Sequence, residues 1–160
     1  MDLLIAERQR IGTVYFLMSE DNVKLNLAQP WMKFGTDAGG VDPDSARSLT
    51  HPRAYGTFPK ILGHYSRDER VLPLEDAVRK ATSAVATRLS IPDRGLLREG
   101  FFADVAVFDP NAIADHSTFE QPHQLSTGVR HVFVNGTLVV QDGKHTGAKP
   151  GRVLRGPGAR

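Results

Sequence analysis

The sequence predicts an α/β fold followed by a β-rich part, on three observations. In residues 1–90 apolar, β-branched runs alternate with helical stretches across short links, the pattern of parallel βα units. After residue 90 the helical periodicity stops, and a strand–turn–strand pattern surrounds Asn135-Gly136. The chain has 160 residues, 40% hydrophobic and 24% charged, enough for one modest core of ordinary globular composition.

The elements follow in order. Asp2 to Arg10 reads as a short helix with Leu3, Leu4 and Ile5 on its apolar side and Gly12 as its stop. "TVYFLM", Thr13 to Met18, reads as a buried strand. Ser19 has the character of an N-cap, and Glu20 and Asp21 suit the first turn of the helix it opens. Pro30 ends that helix, and Met32 to Thr36 reads as a second strand. Val41 to Tyr55 is expected to be a long loop, and Thr57 to Arg67 a helix. "LPLEDAVRKATSAVATRLSI" predicts one long helix with Leu74, Val78, Ala81, Val85 and Leu89 on its buried face. "RGLLREGFFADVAVFDP" predicts two short strands around Glu99-Gly100. "GVRHVFVNGTLVVQDG" predicts a hairpin with a type I′ turn. The tail, rich in Gly, Pro and Arg, is expected to be mobile at its end.

Composition narrows the function classes. A net charge of +2 is too slight to argue for nucleic acid. No apolar run is long enough to span a membrane, and the N-terminus lacks the basic start of a signal peptide. With no cysteine there is no disulfide and no thiolate metal site, so the expected location is cytoplasmic. The six histidines, His51, His64, His116, His123, His131 and His145, form no close metal-binding pair. His116 and His123, seven apart, suit surface or structural roles better than a metal. The arginines of the tail read as a solvated end rather than an anion site.

"FGTDAGG", Phe34 to Gly40, raises the chemical question. In parallel α/β architectures chemistry collects at the C-terminal ends of strands. Asp37 holds that place, with Gly35, Gly39 and Gly40 leaving space beside its carboxylate. Such an acid can serve as a general base. The residue type equally suits a turn cap made through Asx hydrogen bonds.

Four stretches taken together carry a resemblance: "FGTDAGG", "HPRAYGTFPKILGHY", "LEDAVRKAT" leading to "GFFADVAVFDP", and "HTGAKPGRVLR". The chain resembles the C-terminal part of the N-acyl-D-amino-acid deacylases (D-aminoacylases) of the amidohydrolase superfamily. The resemblance implies the last strands and closing helices of a zinc-carrying (β/α) barrel over residues 1–90. Residues 91–160 would be the C-terminal share of a small β-sandwich plus a tail. It implies that Asp37 takes a proton from zinc-bound water and delivers it to the leaving amine, and that Arg53 holds the substrate's α-carboxylate. His51 and Tyr55 lie in the same loop and shape the pocket. The substrate implied is an N-acyl-D-amino acid, with neither nucleic acid nor membrane as partner. The zinc ligands are expected ahead of Met1, so the chain alone is expected to be inactive, to hold no zinc tightly and to self-associate through open strand edges. A dihydroorotase- or hydantoinase-like amidohydrolase, or a non-enzymatic interaction module, are the competing readings.

Overall fold

A computed structural model describes residues 2–7, 15, 17–46 and 48–157. The first helix, α1, covers Asp2–Glu7; the rest of the predicted helix to Arg10 lies outside the described residues. The predicted strand Thr13 to Met18 is only partly described. Its Tyr15, Leu17 and Met18 are irregular and exposed, not a buried strand. Met32 to Thr36 is likewise not a strand. Apolar side chains favour β backbone, but a strand exists only when a neighbour accepts and donates its ladder hydrogen bonds. Among the described residues nothing offers these two segments a partner. Phe34 instead packs as a single side chain against the helical core.

Helix α2, Glu20–Ala28, forms as expected: Ser19 is its N-cap, its hydroxyl accepting from Asn22 N–H at 3.2 Å. The long loop ends earlier than predicted. Pro52, with its preset φ, starts α3, Arg53–Lys60, so Arg53 and Tyr55 sit on a helical first turn rather than in a loop. The chain then continues as a π-helix, Ile61–Asp68.

The predicted long helix is two, α4 (Leu74–Ala81) and α5 (Ser83–Arg88). Thr82 lies between them at φ −128°, ψ −93°, and its hydroxyl donates to the Val78 carbonyl at 2.7 Å. Threonine competing in this way for a carbonyl one turn back bends or breaks a helix. The buried face differs too: Val78 and Leu89 are 37% and 58% exposed, while Ala77, Lys80 and Ala86 are buried. Ala77 allows close approach to the core of Leu27, Ile61, Tyr65 and Leu72, around which Val23, Phe34, Leu62 and Val71 pack. Lys80 is fully buried because its ammonium is satisfied: Nζ donates to the Leu27 carbonyl at 2.6 Å and pairs with Asp76 at 2.9 Å. Leu27 is in the last turn of α2, where a cation also suits the helix dipole.

The β-rich part is a four-stranded antiparallel sheet in the order β1 (Val105–Phe108), β2 (Val129–Val134), β3 (Thr137–Gln141), β4 (Lys144–His145). Only one of the two strands predicted around Glu99-Gly100 forms; that dipeptide lies in a turn with Gly100 at φ 84°. The β2–β3 hairpin is as expected, Asn135 and Gly136 both having positive φ (49° and 79°), as a type I′ turn demands. Asp104 accepts from Asn135 N–H at 2.8 Å and pairs with Arg94, bracing the turn from outside.

The helical and β parts meet at Ile113, which is 2% exposed. A Cβ on Gly63 would lie 2.4 Å from the Ile113 carbonyl oxygen, and one on Gly128 would lie 2.4 Å from its Cα. Arg67 seals the contact by donating to the Ile113 carbonyl at 2.8 Å. Backbone therefore lies against backbone here, which glycine alone permits.

Candidate active site

Of the four residues named from sequence, Asp37, Arg53 and His51 are linked by direct contacts, while Tyr55 faces His123. Asp37 follows Gly35-Thr36 in a left-handed backbone conformation, φ 47°, which aspartate tolerates better than most residues. The turn there is closed by its neighbour: the Thr36 hydroxyl accepts from Ala38 N–H at 3.3 Å and donates to Ala38 C=O at 3.2 Å. The Asp37 carboxylate is not spent on that turn. It is 88% exposed and forms an ion pair with Arg53 Nη2 at 3.0 Å, across 15 intervening residues of loop.

Arg53 is the first residue of α3. Its backbone N–H donates to His51 Nδ1 at 3.1 Å, so the imidazole acts as a cap for a helix start that Pro52 cannot cap with a side chain. The His51 ring meets Phe119 edge to face at 5.0 Å. Burial first, and then the Arg53 charge, lower the His51 pKa below its ordinary 6.5, favouring the neutral ring that can accept this hydrogen bond.

Tyr55 points the other way. Its hydroxyl bonds His123 Nδ1 at 3.0 Å, and His123 Nε2 bonds the Ser48 carbonyl at 3.0 Å. A carbonyl can only accept, so Nε2 carries the proton and Nδ1 accepts from the tyrosine. This chain of bonds ties the loop before α3 to the helix and to the β part. Burial, then the nearby Asp42 carboxylate, raise the Tyr55 pKa, keeping the phenol protonated as the donor. His123 was missed as a site residue. No local signal marks it, because its partners lie 68 and 75 residues away. His116 bonds Thr127 Oγ1 at 2.9 Å.

A catalytic zinc needs about three protein donors. The Asp37 cluster offers one exposed carboxylate, already paired with a guanidinium, and one imidazole whose Nδ1 is occupied. These residues do not make a zinc site by themselves. A cavity of about 400 Å³ lies elsewhere, lined by Ala86, Ile91, Arg94, Leu96 and Phe101 among others, and contains none of the four residues. The site is an open surface cluster rather than a pocket among the described residues.

A model of the amidohydrolase family matches residues 7–140. The chain belongs to the amidohydrolase family. Within that family it is 44% identical over 151 residues to a D-aminoacylase of Alcaligenes xylosoxydans xylosoxydans, covering 94% of this chain and 30% of the relative. A crystal structure of D-aminoacylase superposes with a TM-score of 0.85 at 41% identity, over 94% of this chain and 31% of that one. A zinc- and phosphonate-bound N-acyl-D-glutamate deacylase from Bordetella bronchiseptica superposes at 0.71, with 41% identity over 78% of this chain and 25% of that one. The chain thus spans about 30% of the length of these amidohydrolases. No helix among the described residues is long and apolar enough to cross a membrane.

Proposed function

We propose that the chain is part of an N-acyl-D-amino-acid deacylase, in which Arg53 binds the substrate's carboxylate and Asp37 moves the proton during amide hydrolysis. The observation that carries this reading is the 3.0 Å pairing of Asp37 with Arg53. It sets a cation and a carboxylate side by side, as an N-acylated amino acid requires: an anionic end to be held and an amide nitrogen to be protonated. The acyl group removes the amine's charge, so the α-carboxylate is the substrate's one fixed ionic handle. A guanidinium matches it with two parallel hydrogen bonds. When that carboxylate takes Arg53, Asp37 is released from its ion pair. It can then accept a proton from the attacking water and pass it to the departing amine.

Residues 1–90 form, in this reading, the last part of a (β/α) barrel, and residues 91–160 part of a small β-sandwich, in a cytoplasmic enzyme. Zinc enters this reading through the relatives, one of which is an N-acyl-D-glutamate deacylase complexed with zinc. Among the described residues β1 pairs on one side only, with β2, so its open edge favours pairing with further strands, including those of a second copy. A dihydroorotase- or hydantoinase-like substrate is the alternative. A hydantoin has its α-carboxyl closed into the ring and offers Arg53 no carboxylate, whereas dihydroorotate keeps one but on a cyclic imide rather than an N-acyl amine.

The test is substrate form, in an enzyme containing this segment. Hydrogen bonds to a charged group contribute roughly 1.5–3 kcal/mol, so Arg53→Lys or Arg53→Ala is expected to lower kcat/KM on N-acyl-D-amino acids by about tenfold to a few hundredfold. Their uncharged C-terminal amides should be affected far less. An equal fall on acid and amide would make Arg53 a loop brace and overturn the reading. Asp37→Asn is expected to lower kcat by about 10²–10⁴-fold.

A further inference from the structure

The π-helix places two metal-binding side chains over one another. In an α-helix, residues five apart point about 140° away from each other. The i→i+5 bond from Glu69 N–H to the His64 carbonyl, 2.9 Å, removes that offset. His64 Nε2 consequently lies 3.4 Å from Glu69 Oε1. The first residue of α2, Glu20, completes a trio whose donor atoms all lie within 4.8 Å of one another. Two donors at about 2.0–2.1 Å from a tetrahedral ion stand roughly 3.4 Å apart, the separation already present between His64 and Glu69. A cation already visits this place: Lys24 Nζ sits 2.9 Å from Glu69 Oε2 and 3.1 Å from Oε1.

We propose that Glu20, His64 and Glu69 form a binding site for one zinc-class divalent cation, which replaces the Lys24 ammonium at Glu69 and clips α2 to the π-helix. One imidazole and two carboxylates suit zinc, cobalt(II) or nickel better than calcium or magnesium, which prefer all-oxygen shells. Water would fill the open position on the solvent side. Sequence templates for metal sites do not reveal this trio. His64 and Glu69 have a spacing that faces apart in an ordinary helix, and Glu20 is 44 residues away from His64.

The test is metal binding by the 160-residue chain, stripped with a chelator and titrated with Zn²⁺ in a calorimeter and with Co²⁺ by its visible bands. Saturable one-to-one binding is expected, accompanied by a shift of the His64 ring resonances. His64→Gln and Glu69→Gln should each weaken it more than about tenfold. Lys24→Met should tighten it about two- to fivefold, the range set by losing a surface ion-pair competitor. All of these side chains reach solvent, so the variants should keep the wild-type circular dichroism; if one glutamine variant unfolds, the Lys24→Met comparison still decides. The proposal is overturned by absence of saturable binding, by binding indifferent to both glutamine variants, by unchanged or weakened affinity in Lys24→Met, or by equal competition from Ca²⁺.

Discussion

Removing Asp76 would leave Lys80 buried without its counter-charge, and the cost can be worked out from the geometry. An exposed ion pair contributes at most about 1 kcal/mol. Deleting one partner of a fully buried pair costs about 3–5 kcal/mol. Here the ammonium is fully buried and the carboxylate 28% exposed, with Nζ still held by the Leu27 carbonyl. Asp76→Ala is therefore expected to destabilise by about 2–3 kcal/mol, lowering Tm by roughly 4–12 °C for a chain of this size. The measurement is thermal and urea unfolding of wild type, Asp76→Ala, Lys80→Met and the double variant. The double variant should lose less than the sum of the singles, by about 1–2 kcal/mol. The pH dependence has a definite sign. Hydrogen bonding from Lys80 is the largest influence holding the Asp76 carboxyl below its ordinary 3.8, with Arg79 adding to it against burial. A depressed carboxyl stabilises the fold above its unfolded pKa and loses that contribution as pH falls through the folded value. The gap between wild type and Asp76→Ala should be constant above about pH 5 and shrink below about pH 4. A gap under 1 kcal/mol with no coupling to Lys80 would refute the buried-pair argument.

Two further outcomes can be checked on the same chain. Gly63→Ala drives a Cβ against the Ile113 carbonyl oxygen and should cost near the upper end of about 1–3 kcal/mol, whereas Gly40→Ala, which meets nothing within 4 Å, should stay within about 0.5 kcal/mol. NMR titration should place the His51 pKa below 6.5. Arg53→Gln should raise it without restoring 6.5, because burial is the larger cause. The unfolded chain binds the His51 proton more readily than the folded one. Its contribution to stability is thus complete above pH 6.5 and falls as pH drops toward the folded value.

Elements governed by their own residues were legible in the sequence. Ser19 caps α2, and Asn135-Gly136 makes the hairpin turn, because those conformations are decided within a few bonds. The strand expected at Met32–Thr36 was not, since a strand depends on a partner that local pattern cannot supply. The break at Thr82 came from a hydroxyl–carbonyl bond one turn back, hidden inside an uninterrupted amphipathic pattern. At the site, the proximity of Asp37 and Arg53 was legible because only 15 residues separate them. The hold that His123 has on Tyr55 and Ser48 is set by long-range packing and left no trace in the neighbouring residues.

That hold gives the site a birth order. Ser48 is synthesised 75 residues before His123, the imidazole that fixes it. At about 5–20 residues per second, a ribosome needs roughly 4–15 s to cover that interval. For those seconds Asp37 and Arg53 already exist while the strap around them is still untied. The nascent chain thus carries its charged pair ahead of the clasp that sets the loop, and the loop's final shape waits on a residue from the other half of the molecule.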